Sequence, residues 1–383
     1  MAELGFATVV PLLPLYLKER LGASATLVGM VVATFAAVET VFKTTWGSLA
    51  DRIGRRPVIV WGLLLASTAP VLMTLLRSAW LFVPLRVIDG MGSAALWPAA
   101  AAVMADRTAG ERRATAMGTL NMFFLLGLAL GPSLGLFVSG FLGGYVWGFY
   151  LASLLLLGAA GLAALFFRDG EPHRDTLRHV VPGVWASGFI RGVRQSPLLL
   201  SMLLVAFVQM VGVGLLVPIL VIYAHEVVQL SDQLIGTLFL VLVLAVAVAS
   251  VPGGRMADRI GRPRTVLWGM AMASAGMWLL PFAGRGNLPV LGAAALLLGG
   301  SYAISSPAWL ALMSEAAPRG STGMVMGASE TAQGAGLVIG PLMGGILYDS
   351  FGPQTPFVAS AALLTVGTVL AFLALRAHMA PPS

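Results

Sequence analysis

Cysteine is absent from the 383 residues, which excludes disulfides and thiolate metal sites and leaves the redox compartment unreadable. Charge is scarce: 10% of residues are Asp, Glu, Lys or Arg, against roughly 25% in soluble domains, while 58% are hydrophobic. Histidine is rarer still. The four lie apart at His173, His179, His225 and His378, and this scatter argues against a metal centre or a histidine proton site. Alternating strand periodicity is missing too, and runs such as LLLLGAAGLAALFF cannot be barrel strands with polar inward faces.

What is present is a series of apolar stretches of about 20 residues separated by short polar breaks, the length signature of membrane-spanning helices. Twelve spans are expected, at 2–17, 27–48, 58–76, 81–105, 114–139 and 145–167, then 198–223, 233–253, 265–283, 288–313, 322–347 and 356–375. The chain therefore reads as an all-α membrane protein. Its net charge of +7 is not a nucleic-acid signal, because 17 of the 23 Lys and Arg residues fall on one side. That side comprises the loops after even-numbered spans and the C-terminal tail, whereas the opposite side holds only Lys18, Arg20, Arg77 and Arg285. The positive-inside bias predicts that both termini are cytoplasmic; the membrane expected is a prokaryotic inner membrane.

The sequence is also duplicated. ADRIGR occurs at 50–55 and at 257–262, and an offset of 207 superposes Pro11 on Pro218, Tyr16 on Tyr223 and Gly29 on Gly236. At an offset of 209, Pro98 meets Pro307, Asp106 meets Glu315, and Gly131-Pro132 meets Gly340-Pro341. Two six-helix bundles are expected, 1–167 and 198–383, joined by a cytoplasmic linker at 168–197 with an interfacial helix near 183–194. Span 7 has about 20 residues before Pro218 and span 1 only ten before Pro11, so helix 1 is expected to be N-terminally truncated.

Two like-oriented six-helix halves joined by a cytoplasmic loop resemble the major facilitator superfamily. The resemblance covers essentially the whole chain and rests most firmly on Gly47-Ser-Leu-Ala-Asp51-Arg52-Ile-Gly54-Arg55-Arg56, which fits that superfamily's loop signature between helices 2 and 3. Gly254 to Arg262 is its second copy, with Met256 in place of leucine. The resemblance implies that Asp51 and Arg55 join Asp106 at the cytoplasmic end of span 4 and the N-terminus of span 11. Asp258, Arg262 and Glu315 would form the sister latch. The plainer reading is that these charges anchor loops and fix topology; the positive-inside rule, however, needs only the arginines.

Gly118, Gly127, Gly131-Pro132 and Gly135 on span 5 recur on span 11 as Gly327, Gly336, Gly340-Pro341 and Gly344-Gly345. GxxxG steps permit close helix packing and each proline favours a kink, so these helices are hinge candidates. The pattern resembles the helix-5 signature of the twelve-helix drug/proton antiporters within the superfamily, with Leu136 replacing its last glycine. Glycine packing alone is the competing account.

Charges inside spans are costly and therefore candidate functional groups. Arg86 and Asp89 on span 4 are three apart and can pair; Arg86 falls in a stretch that resembles the superfamily's arginine-bearing helix-4 motif, and its second-half counterpart is Ala293. Glu39 lies near the bilayer middle with Lys43 one turn away, where the lysine can pair with it or reach the interface. Glu330 on span 11 is the third embedded acid, and Glu3 would join these if span 1 were longer. Glu39, Arg86, Asp89 and Glu330 are the proton-coupling candidates. Asn121 and Gln209 offer neutral hydrogen bonds, and Trp97, Phe123, Phe124, Met210 and Trp309 are cavity-lining candidates.

The resemblance implies a secondary active transporter rather than an enzyme, working by alternating access and coupling protons to efflux of hydrophobic or amphipathic small molecules. No GxxxxGK[ST] loop is present to make ATP its energy source. Neither a cofactor nor a metal is expected; the partners are a small-molecule substrate, protons and the bilayer, and the monomer is the functional unit. A proton-linked importer or facilitator of sugars or organic ions and a lipid-translocating member of the same fold are the alternatives.

Overall fold

A computed structural model describes residues 1–108, 113–167, 196–283, 287–317 and 322–376, and among these every regular element is helical. The elements in the first half are α1 (Ala2–Leu15), α2 (Ala25–Ile53), α3 (Arg55–Leu75), α4 (Phe82–Arg107), α5 (Arg113–Leu142) and α6 (Tyr145–Phe166). In the second half they are α7 (Pro197–Leu216), α8 (Ile219–Glu226), α9 (Asp232–Ile260), α10 (Arg262–Leu279), α11 (Leu288–Ala316), α12 (Thr322–Phe351) and α13 (Thr355–Leu375). Ten segments are long and apolar enough to cross a membrane, one of them the α7–α8 pair. These ten are counted among the described residues; α1, prolonged by one π-helical turn over Tyr16–Arg20, and α9 are the helices that stand at the two other expected spans. The expected seventh span is broken before Pro218, which has no N–H to continue the ladder. The expected linker helix at 183–194 lies outside the described residues.

Both ADRIGR copies end a helix in the same way. Gly54, between α2 and α3, has φ 98° and ψ 154°, and Gly261, between α9 and α10, has φ 88° and ψ 149°. Only glycine occupies that region freely, so one residue suffices to reverse the chain.

The described residues form two compact units. One is drawn from Met1–His173, Val217–Leu240 and Pro341–Ser350, and the other from Arg174–Leu216, Val241–Gly340 and Phe351–Ser383. In the first unit, Val58, Ile59, Leu63, Ala95, Ala99, Leu156 and Ala160 from α3, α4 and α6 make one core; in the second, Val266, Met270, Ala308, Leu312, Ala371 and Leu375 from α10, α11 and α13, with Leu199 and Met202 of α7, make its counterpart.

Two close helix contacts recur in both halves. A Cβ on Gly131 of α5 would lie 2.5 Å from the Ala7 Cβ of α1, and one on Gly340 of α12 would lie 2.7 Å from the Gly214 Cα of α7. Likewise Gly90 of α4 faces the Phe35 carbonyl of α2, while Gly299 of α11 faces the Leu242 carbonyl of α9. Without a driving force from water, helices in lipid associate where small residues let backbones approach. The glycines of α5 and α12 serve this end, and both helices run unbroken through Pro132 and Pro341.

Candidate functional site

The approach of α4 to α2 at Gly90 positions the most buried charges of the first unit. One turn earlier on α4, Arg86 Nη1 donates to Asp89 Oδ2, with the two residues 8% and 3% exposed. The Arg86 guanidinium stacks on the Phe35 ring of α2 at 4.0 Å, and its Nε is buried without a hydrogen-bond partner. A buried ion pair closed by a stacked ring satisfies the bilayer's demand for neutrality, yet lipid alone requires neither charge, since the repeat has alanine opposite Arg86 at either offset, Ala293 at 207 and Ala295 at 209.

Further charges of α1 and α2 gather on the same unit. Lys43 Nζ lies 3.1 Å from Glu39 Oε1, so the lysine pairs with its own helix. Glu39 is near enough to act electrostatically on both Arg86 and Asp89. Glu3, in the first turn of α1, is half-buried, hydrogen-bonds with the Trp97 side chain and feels both Glu39 and Lys43. Its Cβ packs on Gly127 of α5. Trp97 in turn meets the Phe124 ring edge to face, with centroids 4.5 Å apart. Phe123 beside it is 63% exposed. Glu3, Glu39 and Arg86 thus belong to one polar cluster bordered by aromatic rings. Sequence reasoning admitted Glu3 only conditionally and missed Phe35. The signal for Glu3 was the offset of 207, which sets it on Met210 and marks it as a charge without a counterpart.

The remaining candidates lie elsewhere. In the second unit, Glu330 is exposed on α12, and Met210 sits against Gly336. The Gln209 amide donates to the Leu364 carbonyl at 3.4 Å and packs on Gly367, both on α13. Trp309 packs against the core around Leu312 and Met313. Arg262 is ion-paired with Glu315, two members of the expected sister latch. The side chains of Asp51, Asp106, Asn121 and Asp258 lie outside the described residues. Among the described residues no cluster of three or more His, Asp or Glu side chains is arranged to hold a metal ion.

The model of the Major Facilitator Superfamily matches residues 1–211 and 202–383. Multidrug resistance protein 2 of Bacillus subtilis strain 168 is 25% identical over 371 residues, spanning 96% of this chain and 90% of the relative. Multidrug resistance protein MdtG of Citrobacter koseri is 27% identical over 392 residues, spanning 97% and 91%. Among solved structures, a bacterial homologue of the human lysosomal transporter Spinster, in an inward-facing and unoccupied conformation, superposes with a TM-score of 0.77 at 18% identity, covering 98% of this chain and 95% of its own. A matching family model over both halves, a duplicated sequence whose described residues fold into helices, and close contacts of α5 on α1 and α4 on α2 that recur in α12 on α7 and α11 on α9 lead to one conclusion: the chain belongs to the Major Facilitator Superfamily of multi-pass membrane transporters.

Proposed function

We propose that this transporter exports hydrophobic or amphipathic small molecules in exchange for protons, by alternating access across a prokaryotic inner membrane. The observation that carries the reading is that, among the described residues, the buried charges Arg86 and Asp89 belong to the first repeat, with Glu3 and Glu39 beside them, and that Glu3, Glu39 and Arg86 stand where the second half has Met210, Val246 and alanine. What both halves share serves the movement; what one half alone carries serves the chemistry. The names of the relatives, multidrug resistance proteins, favour drug-like cargo. The one-sided placing of Lys and Arg favours cytoplasmic termini and cytoplasmic ADRIGR loops.

In this mechanism the bundles 1–167 and 198–383 rock about a substrate bound near the midplane, with residues 168–197 as their tether. Asp51, Arg55 and Asp106, and in the second half Asp258, Arg262 and Glu315, latch the cytoplasmic ends. The glycine stripes at Gly127, Gly131 and Gly135, and at Gly336, Gly340 and Gly344, let α5 and α12 slide on α1 and α7. Trp97, Phe123, Phe124, Met210 and Trp309 supply apolar and ring surfaces, which suit cargo with extended hydrophobic faces. A carboxylate among Glu39, Asp89 and Glu330 takes up a proton in exchange for cargo. At Asp89 that proton would free Arg86 from its partner, and a buried cation without a counterion favours rearrangement. The monomer suffices for this cycle.

Glu39→Gln, Asp89→Asn and Glu330→Gln, each in proteoliposomes carrying a cationic dye under an imposed pH gradient, test the coupling. At least one is expected to lose gradient-driven dye movement while retaining dye exchange without a gradient. Unchanged gradient-driven movement in all three removes these carboxylates as proton carriers.

A further inference from the structure

The end of α2 away from the ADRIGR turn is crowded with ionisable groups that the mechanism above does not use. The offset of 207 superposes Lys18-Glu19, which follow α1, on His225-Glu226, which close α8. These two dipeptides cross-pair. Lys18 Nζ lies 3.8 Å from Glu226 Oε1, and the counterpart of that lysine, His225, places Nε2 3.1 Å from Glu19 Oε1. The remaining imidazole nitrogen, Nδ1, is buried without a hydrogen-bond partner and stands 3.6 Å from Asp232 Oδ1 at the start of α9. Both pairs are braced by tyrosines. The Tyr145 hydroxyl of α6 lies 3.0 Å from Glu19 Oε2 and 3.5 Å from Asp232 Oδ1, and the Tyr348 hydroxyl of α12 donates to Glu226 Oε2 at 2.9 Å. Asp349, next to Tyr348, caps α2: it accepts from the Ala25 and Thr26 amides at 3.1 and 2.7 Å and from the Thr26 hydroxyl at 2.7 Å.

Far from the others in sequence, His225 is brought by folding between two carboxylates. A neutral imidazole has one N–H and can donate to Glu19 or Asp232, leaving a lone pair turned on the other. An imidazolium donates to both. With His225 neutral, the carboxylates of Glu19, Glu226, Asp232 and Asp349 share this end with the single ammonium of Lys18, a local charge of −3; protonation lowers it to −2. Histidine is the side chain whose charge ordinarily changes between about pH 5 and 8.

We infer that His225 is a second proton site, a clasp that joins the ends of the two repeats when protonated and releases them when neutral. Its repeat partner, the Lys18–Glu226 pair, is the permanently charged half of the same clasp. The side chain of His225 is 33% exposed, so protons reach it from the adjoining water. Loss of the imidazolium removes the cation that faces the Glu19 carboxylate at 3.1 Å, and leaves that anion beside the Asp232 carboxylate with no positive charge between them. The inference rests on the alternating-access reading and on the orientation read from the charge bias, which puts this end outside. An acidic exterior then favours closure of the outer seam, and a proton taken up there favours the return of the emptied carrier.

The absence of native cysteine permits a direct test. Ser78→Cys and Ser350→Cys, both on exposed residues at this end of the first unit, accept spin labels whose separation is measured on purified protein in lipid nanodiscs at pH 5.5 and pH 8. The open-to-closed ratio is expected to rise about tenfold or more toward pH 8, within the limit of about tenfold per pH unit for one linked proton. His225→Gln should abolish this response. His225→Lys, which restores the residue type of Lys18, should keep the seam closed at both pH values. A wild-type distance indifferent to pH, a response surviving in His225→Gln, or a His225→Lys variant that opens like the wild type overturns the proposal. The measurement needs neither cargo nor gradient, so failure of dye transport would defeat the export reading without touching this result.

Discussion

Breaking the Arg86–Asp89 pair should cost far more than deleting it. Arg86→Met leaves Asp89, 3% exposed, as a buried anion without a partner, and Asp89→Leu leaves Arg86, 8% exposed, as the corresponding cation. Removing one partner of a buried pair costs about 3–5 kcal/mol, whereas replacing both by apolar groups of similar size is roughly neutral or stabilising. The stacking of Arg86 on Phe35, at 4.0 Å, is worth about 1–2 kcal/mol when desolvated, but it is lost in Arg86→Met and in the double variant alike. It therefore cancels from the double-mutant cycle, which should report a coupling of about 3 kcal/mol or more. Thermal unfolding of the detergent-solubilised protein reads this out. At roughly 2 °C per kcal/mol, each single variant should lose about 6–10 °C and the double variant should return most of it. A double variant that falls by the sum of the singles would refute the reasoning. The restored double variant should nevertheless fail in pH-driven transport, because stability and coupling make different demands on the same two side chains.

Gly131→Ala and Gly340→Ala should each destabilise by about 1–3 kcal/mol through overpacking, since Cβ distances of 2.5 and 2.7 Å fall below the 3.4 Å at which ordinary contact begins; equal losses in thermal midpoint would show that the repeats share this contact. Gly261→Ala should cost about 1–3 kcal/mol for a different reason, because at φ 88° nothing lies within 4 Å of the new Cβ and the cost is purely conformational. An unchanged midpoint would contradict it. Asp349→Ala removes the acceptor for the Ala25 and Thr26 amides; a lost helix cap costs about 0.5–2 kcal/mol, so amide exchange in the first turn of α2 should quicken about 2- to 30-fold.

Much of the fold was legible because the bilayer imposes it. Spans of fixed length, a one-sided excess of Lys and Arg and the repeated ADRIGR follow from hydrogen-bond satisfaction, membrane charge and gene-level duplication, each of which leaves a local mark. Gly54 and Gly261 were readable for the same reason, since a one-residue reversal at positive φ admits little else. The break before Pro218 was less so, because span 1 keeps Pro11 inside a continuous helix, and the difference depends on what packs around each. The site was legible in part. Arg86, Asp89 and Glu39 stood out by being charged in apolar runs, but their neighbours Phe35 and Glu3 could be assigned only once Gly90 and Gly127 had drawn α4 onto α2 and α5 onto α1. His225 was hidden by sequence distance: 206 residues separate it from Glu19, and only the 207-residue repeat, applied to a loop rather than a span, would have set it beside Lys18.

Export driven by a proton gradient is tested most directly by dye expulsion. Purified protein in proteoliposomes, oriented by cysteine labelling and loaded with a cationic dye on the side of the ADRIGR loops, should expel the dye when the opposite side is made acidic. Acidification and dye movement should be coupled, with protons appearing inside as dye leaves. Dye movement of equal rate with and without the gradient, or gradient-driven accumulation of sugar on the side of the ADRIGR loops with no expulsion of dye, would contradict proton-driven export.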